Sequence, residues 1–280
     1  MTVQASDAIV AIDARQVAAR PRPWLHWLDR STSVLFAIAV LAYWEFHVWY
    51  FEVEALLLPP PSKIVVALWY GLESGLFLKH LGITVYRALS GFVIATALGI
   101  ALGALISQFR FFERTVYPWV VALQTVPKIA IAPLILVWCG YGSTSKIFTA
   151  ALVAFFPVLV NTITGLRSCE QSKRDLMRSL RAGRWLTFRI VELPNALPFI
   201  FAGLNVALVF SILGAIVGEF VGSKDGVGFL ILDANYQLDI PRVFALLILL
   251  GLYGVICHAV LQFAQTKLVF WNEPAKVTNV

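Results

Sequence analysis

Long runs of apolar residues dominate this sequence and restrict the folds open to it. The segment 197–219, LPFIFAGLNVALVFSILGAIVGE, carries a single charged residue, at its end. A helix needs roughly 20 such residues to cross about 30 Å of hydrocarbon. Of the 280 residues, 59% are hydrophobic and only 14% are charged, which is too little charge for the surface of a soluble domain. The sequence therefore predicts an all-α integral membrane protein.

Six segments are apolar and long enough to be transmembrane helices. They lie in a predicted membrane domain of residues 32–270, with polar tails at 1–31 and 271–280. After the first segment, Pro59–Pro61 interrupt regular structure, and IVVALWYGLESGLFL favours a short helix along the membrane. The motifs GIALG and GAIVG predict close helix packing, within the chain or between two copies. The spans are expected at about 32–50, 83–107, 116–138, 146–166, 197–219 and 243–265.

Basic residues are distributed unevenly between the two sides that six spans define. Cytoplasmic segments carry an excess of lysine and arginine, and placing the amino terminus inside puts fifteen of the 22 basic residues on that side. Both termini and the basic stretch 172–194, SKRDLMRSLRAGRWLTFRIVELP, are then predicted to be cytoplasmic. This topology accounts for the net charge of +6 without a nucleic-acid partner. Lys128 falls within the third span, and the basic residues expected outside are Lys63, Lys79, Arg87, Lys146, Lys224 and Arg242.

The basic stretch 172–194 has a helical pattern of its own. Leu176, Met177 and Leu180 fall on one helical face, and arginines occupy another. Gly183 is expected to end this first helix, and RWLTFRIVEL to form a second one before Pro194. A loop held at the membrane surface by anionic lipid would explain the arginines. It would not explain the apolar face, so two short helices that contact a partner are also considered.

The stretch resembles the cytoplasmic coupling loop of ABC importer permeases. That loop has the pattern Glu-Ala-Ala, three residues, Gly, nine residues, Ile-x-Leu-Pro. The spacing is kept here, although Arg181 stands at the glycine position, which predicts an acidic pocket for it on the ATPase. Other segments, including VPKIAIAPLILVWCGYGSTSKI and VGEFVGSKDGVGFLI, resemble the nitrate, sulfonate and taurine branch of these permeases, over about residues 55–270. The residues at the remaining positions of the loop pattern are Asp175, Leu176, Met177, Val191, Leu193 and Pro194.

The resemblance implies the type I ABC importer permease fold, with six transmembrane helices and cytoplasmic N- and C-termini. It implies two permease copies, expected to be a homodimer, two cytoplasmic ABC ATPase subunits and a periplasmic or lipid-anchored substrate-binding protein, in the bacterial inner membrane. The coupling loop at about 168–194 would enter a cleft of the ATPase. No G-x-x-x-x-G-K-[ST] motif occurs, so this chain is expected to hold no cofactor and to be no enzyme, while the ATPase binds ATP and Mg²⁺. The residues expected to engage the ATPase are Asp175, Leu176, Met177, Leu180, Arg181, Gly183, Leu193 and Pro194.

Polar residues inside spans are energetically unfavourable and are therefore candidates for the translocation path. Lys128 lies between Pro127 and Pro133, which are expected to interrupt the third span. It is a candidate contact for an anionic solute. Alternatively, it snorkels to the interface or pairs with Glu219. Glu219 is a candidate for an outer gate, or it is an ordinary carboxylate at a helix end. The neutral candidates, which interhelical hydrogen bonds would explain equally, are Gln124, Asn161 and Asn205.

The alternative functional class is a secondary transporter or a channel without an ATPase partner. A secondary transporter would favour inverted repeats and carboxylates within the membrane, and Glu219 is the only carboxylate placed in a span. The four histidines and three cysteines match no metal-binding spacing, so neither a metal site nor a structural disulfide is predicted. The solute stays open among nitrate, sulfonates, taurine, aromatic carboxylates and thiamine precursors.

Overall fold

The computed structural model describes residues 23–271, and every regular element in that range is helical. The predicted tails 1–31 and 271–280 lie largely outside this range. The α-helices are α1 (Pro23–Tyr50), α2 (Pro61–Glu73), α3 (Leu76–Gln108), α4 (Arg110–Thr115), α5 (Tyr117–Gln124), α6 (Ala132–Cys139), α7 (Ser143–Arg167), α8 (Gln171–Ser179), α9 (Arg184–Thr187), α10 (Leu193–Gly222), α11 (Val227–Tyr236) and α12 (Ile240–Leu268).

Helix α1 and the loop after it belong to the first of two compact units, residues 1–62. The helix begins at Pro23, earlier than the span expected from residue 32, because proline is tolerated in the first turn of a helix. Its apolar part is Val34–Tyr50. The Glu45 carboxylate accepts hydrogen bonds from the backbone N–H of Ser62 at 3.0 Å and from its hydroxyl at 2.8 Å. These bonds hold the end of the loop near the helix.

The second unit, residues 63–280, is built around α7, which packs along both α3 and α10. Small residues allow this close approach. A Cβ atom on Gly99 would lie 2.8 Å from the Cβ atom of Val158, and one on Gly103 would lie 2.8 Å from that of Thr162. On α10, Gly214 lies against the backbone of Ala150 in the same way. The packing predicted for GIALG and GAIVG is therefore found within the chain.

Four helical segments in the described part of the chain are long and apolar enough to cross a membrane: α3, α7, the continuous segment Arg184–Gly222, and α12. The third predicted span, 116–138, is broken. Helix α5 and the segment Lys128–Cys139, a 3₁₀ turn followed by α6, meet at an angle of 86° and would make a fifth span together. Pro127 lies at the break, where its missing N–H and fixed φ disfavour a continuous helix. Among the described residues, the segment Val34–Tyr50 of α1 is apolar but shorter than these spans, so six spans remain a prediction.

The basic stretch 172–194 differs from the two separate helices expected for it. Helix α8 ends at Ser179. Helix α9 passes through a π-helical turn, Phe188–Glu192, directly into α10. Pro194 does not end a helix, because it lies in the first turn of α10, where its missing N–H is tolerated. The second predicted helix is therefore the beginning of a long span.

Candidate functional site

A cavity of about 630 Å³ lies between α7, α10 and the break that follows α5. We call it the Lys128 cavity. Three of the five predicted path residues line it, namely Gln124, Lys128 and Asn161, whereas Asn205 and Glu219 are not among its lining residues. Much of the remaining wall is apolar and includes Val153, Phe156, Val160, Val206, Phe210 and Leu213.

Lys128 is held at the edge of this cavity by two contacts. Its Nζ donates a hydrogen bond to the backbone carbonyl of Gln124 at 2.8 Å, at the C-terminal end of α5. The same atom lies 4.5 Å from the centroid of the Phe156 ring, a cation–π distance. An ammonium group has three N–H donors, so a bound solute can still receive one. The alternative pairing with Glu219 is wrong, because the carboxylate of Glu219 contacts α3 and α11 instead.

The two asparagine candidates donate hydrogen bonds within their own helices. The Asn161 side chain donates to the carbonyl of Pro157 at 2.8 Å, and that of Asn205 donates to the carbonyl of Phe201 at 3.0 Å. The alternative explanation for these residues was an interhelical hydrogen bond. Neither amide donates one in these two contacts, because both acceptors lie in the same helix as the donor. The buried Oδ1 of Asn205 finds no hydrogen-bond partner within residues 23–271.

Glu219 lies in a buried polar cluster that joins α3, α10 and the start of α11. Arg87 Nη1 lies 2.9 Å from Glu219 Oε1. The Thr84 hydroxyl donates to the same oxygen at 2.9 Å, and the N–H of Gly228 donates to Oε2 at 2.8 Å. Arg87 is 3% exposed and Glu219 is 1% exposed. Arg87 was expected on the outer side of the membrane, and the structure adds that this pair is enclosed by protein.

Arg87 also reaches α7 and the loop that precedes α11. Its guanidinium donates to the hydroxyls of Ser143 and Ser223, each at 3.2 Å, and to the carboxylate of Asp225. Burial raises the pKa of Asp225, but the hydrogen bond and the positive charge of Arg87 outweigh it and hold the pKa below its ordinary value. We call Thr84, Arg87, Ser143, Glu219, Ser223 and Asp225 the Arg87 cluster.

Lys146 is the second basic residue expected on the outer side that is enclosed by protein. It is fully buried, and its ammonium donates to the backbone carbonyls of Tyr141, at 2.8 Å, and Gly222. With Arg87 it balances the two carboxylates of Glu219 and Asp225. The sequence carried a signal for both cations, because each lies inside a predicted span, where a buried partner is expected.

The basic stretch 172–194 presents an exposed apolar face in the described part of the chain. Leu176 and Leu180 are 60% and 68% exposed, and Met177 is partly exposed. Asp175 pairs with Arg178 of the same helix at 3.1 Å. Leu193 and Pro194 are partly buried at the start of α10, so they do not belong to this face.

Arg181 ends helix α8 in a left-handed conformation. Its φ is +53°. The N–H of Arg181 bonds to the carbonyl of Arg178, and the N–H of Ala182 bonds to that of Met177, both at 2.9 Å, which is the Schellman arrangement. Glycine adopts this conformation most easily, which gives a physical reason for glycine in the loop pattern. Gly183, expected to end the helix, has an ordinary φ of −67° and precedes α9.

Comparison with known proteins identifies the family. Residues 95–270 match the family described as "Binding-protein-dependent transport system inner membrane component". The riboflavin transport system permease protein RibX of Chloroflexus aurantiacus is 35% identical over 233 residues, covering 83% of this chain and 87% of RibX. The putative aliphatic sulfonates transport permease protein SsuC of Bacillus subtilis is 32% identical over 273 residues, covering 97% and 98%. The formylaminopyrimidine transport permease protein ThiX of Halalkalibacterium halodurans is 34% identical over 239 residues, covering 85% and 95%.

Solved structures agree at the level of the fold. A chain of the inward-facing MetNI methionine ABC transporter aligns with a TM-score of 0.57 at 21% identity, covering 67% of this chain and 92% of that chain. A chain of an amino acid ABC transporter crystallised with histidines aligns with a TM-score of 0.54 at 16% identity, covering 73% and 98%. The family match and these relatives cover most of the membrane part. This chain therefore belongs to the binding-protein-dependent transport system inner membrane components, the multi-pass permease subunits of ABC transporters in which a partner subunit hydrolyses ATP.

Proposed function

We propose that this chain forms the translocation path of an ATP-driven importer of the bacterial inner membrane, and that its solute is a small anion. The observation that carries the proposal is the position of Lys128 in the Lys128 cavity. No carboxylate is found among the described residues that line this cavity, so the ammonium gives the site a positive character. In a space with mostly apolar walls, that charge interacts more strongly with an anion than it would in water.

The solutes after which the relatives are named support the proposal of a small solute. SsuC is named for aliphatic sulfonates, which carry one anionic group on an apolar chain. RibX and ThiX are named for riboflavin and a formylaminopyrimidine, which are heterocycles. Lys128 favours the sulfonate class, because its free N–H donors match an anionic oxygen. The aromatic ring of Phe156 already contacts the ammonium, so it is not free to stack fully on a heterocycle.

Transport in this proposal is driven by an ATPase that engages α8. Leu176 and Leu180 offer the ATPase an exposed apolar surface, and the neighbouring arginines offer it positive charges. Two copies of this chain pair as a homodimer with two ATPase subunits, and a periplasmic or lipid-anchored substrate-binding protein delivers the solute. Closure of the ATPase dimer on ATP moves α8, and the Lys128 cavity opens alternately to the two sides of the membrane.

Purification from the native membrane followed by transport assays tests the proposal. The tagged chain is extracted in mild detergent, co-purifying proteins are identified, and the complex is reconstituted into vesicles. We expect an ATPase in one-to-one ratio and ATP-dependent uptake of a labelled aliphatic sulfonate. If the vesicles instead take up riboflavin or a formylaminopyrimidine in an ATP-dependent manner, the proposal of an anionic solute is wrong. The proposal of an ATP-driven importer then still stands. Uptake that needs an ion gradient and no ATPase would favour a secondary transporter.

A further inference from the structure

A second polar group lies at the opposite end of the same three long helices from the Arg87 cluster. Its centre is Glu192, the last residue of the π-helical turn Phe188–Glu192. Glu192 is 8% exposed, and it falls at the position that the coupling-loop pattern leaves unspecified. Single π-helical turns are frequent at functional sites.

Both oxygens of Glu192 are engaged by other elements. Arg174 Nε, from α8, lies 3.1 Å from Oε1. The Gln108 amide, from the last residue of α3, donates to Oε2. Arg174 Nη2 also donates to the carbonyl of Leu166 in the last turn of α7, at 3.0 Å. These four residues, which we call the Glu192 junction, connect α8 with α3, α7 and the start of α10.

The other ion pairs of the basic stretch make no such connection. Lys173 lies 3.9 Å from Glu170, and Arg178 lies 3.1 Å from Asp175. Each pair joins residues three positions apart, and all four side chains are more than half exposed. In the Glu192 junction the side chains of Arg174 and Glu192 are 30% and 11% exposed. Lys173 and Arg178 pair with carboxylates in α8 or in the turn before it. Among the described residues of the basic stretch, Arg174 is thus the cation whose carboxylate partner lies in another element.

We infer that the Glu192 junction transmits the displacement of α8 to the long helices, with Arg174 and Glu192 as positioning residues. This inference rests on the proposed engagement of α8 by an ATPase. An exposed ion pair contributes little and exchanges its partners for water readily. A mostly buried carboxylate that is ion-paired with Arg174 and accepts a hydrogen bond from Gln108 resists separation, because breaking these contacts leaves a desolvated charge. When α8 moves, the ends of α3, α7 and α10 are therefore drawn with it.

Cysteine labelling in the complex with the co-purified ATPase tests this link without knowledge of the solute. The native Cys139, Cys169 and Cys257 are replaced by serine, and Val206→Cys provides a label site, because Val206 is 45% exposed and lines the Lys128 cavity. The rate of maleimide labelling is measured with and without ATP plus vanadate. The starting complex is expected to change this rate at least about fivefold, the size of a typical coupling effect.

Four variants separate the junction from general effects of charge. Glu192→Gln and Arg174→Leu are expected to keep the ATPase bound in one-to-one ratio and to lose the ATP-driven change in labelling. Arg174→Lys, which keeps the cation, is expected to retain at least part of it. Lys173→Gln removes the same charge from the same helix, outside the junction, and is expected to retain all of it. Thermal unfolding of each purified complex shows that the variant is folded.

The outcomes distinguish the junction from the function on which it rests. If ATP does not change labelling in the starting complex, the proposed coupling fails, and the junction fails with it. If the starting complex responds and Glu192→Gln responds equally, only the junction is overturned. The junction is likewise overturned if Lys173→Gln abolishes the response as well. Loss of the bound ATPase, or of folding, in both Glu192→Gln and Arg174→Leu would assign these residues to assembly instead.

Discussion

Arg87 and Glu219 form an ion pair of 2.9 Å although 132 residues separate them in the sequence. Both side chains are enclosed by protein, and Thr84 and Gly228 supply further hydrogen bonds to the carboxylate. The pair ties α3 to α10 at the end of the helices where the loop to α11 begins. Removing either partner of such a buried pair leaves the other as an unpaired charge inside the protein, which is strongly destabilising.

Removing both partners of this pair should cost less stability than the sum of the two single removals. Arg87→Leu leaves the Glu219 carboxylate buried without its hydrogen-bonded cation, and we expect it to lower the free energy of unfolding by about 3 kcal/mol. The double variant Arg87→Leu/Glu219→Leu leaves no buried charge from the pair and should lose less than the sum of the two single variants. Unfolding of the detergent-solubilised protein measures all three. Strict additivity would show that the pair is not coupled.

Gly226 should tolerate a side chain much less well than Gly75. Both have a positive φ, of +98° and +72° respectively. A Cβ atom on Gly226 would overlap the carboxylate of Glu219, whereas no atom lies within 4 Å of one on Gly75. Gly75→Ala should therefore cost about 1 kcal/mol in backbone strain. Gly226→Ala should cost about 2 kcal/mol more, as overpacking does; equal melting temperatures for the two variants would contradict this.

The contact between Arg87 and Asp225 should be insensitive to pH across the physiological range. The folded pKa of Asp225 lies below its ordinary value. The stabilisation is therefore fully present above the unfolded pKa of about 3.9, and it is lost as pH falls through the lower folded value. Asp225→Asn should lower the melting temperature by a constant amount between about pH 5 and about pH 8. That difference should shrink below about pH 4; a decline that begins well above this pH would contradict the assignment.

Three substitutions separate the backbone of Arg181 from its charge. Arg181→Gly removes the left-handed strain and should stabilise the end of α8 by about 1 kcal/mol, measured as slower hydrogen exchange at the amides of residues 181 and 182. Arg181→Gln keeps the strain and removes the charge, and Arg181→Glu reverses it. If the ATPase offers an acidic pocket, Arg181→Glu should uncouple hydrolysis from uptake. Unchanged coupling in Arg181→Glu would mean that only the backbone matters.

Loss of the positive charge of Lys128 should reduce the uptake of anionic solutes selectively. Lys128→Gln removes the charge at the edge of the Lys128 cavity. A hydrogen bond to a charged group contributes about 1.5–3 kcal/mol, so uptake of an aliphatic sulfonate at low concentration should fall roughly tenfold or more. Lys224→Gln, in an exposed loop outside the cavity lining, is the matched control and should leave uptake unchanged. Equal loss in both variants would exclude a direct role for Lys128.

Part of the fold and of the candidate site followed from local sequence. The long apolar segments α3, α7, α10 and α12 were predicted because the length and hydropathy of a span are properties of consecutive residues. The break in the third span was signalled by Pro127. The exposed face of Leu176 and Leu180 followed from helical periodicity.

The partners of the polar residues were decided by tertiary structure alone. Whether Arg87 meets solvent or Glu219, and whether Glu192 meets Arg174 or water, depends on which helices pack together. That packing is set by small residues such as Gly99 and Gly214, which bring separate helices into contact. Thus the sequence by itself determined which segments are long and apolar enough to cross a membrane, and which basic stretch carries an exposed apolar face. Only the fold decided which charges neutralise one another, because a buried charge is satisfied by neighbours in space and not in the chain.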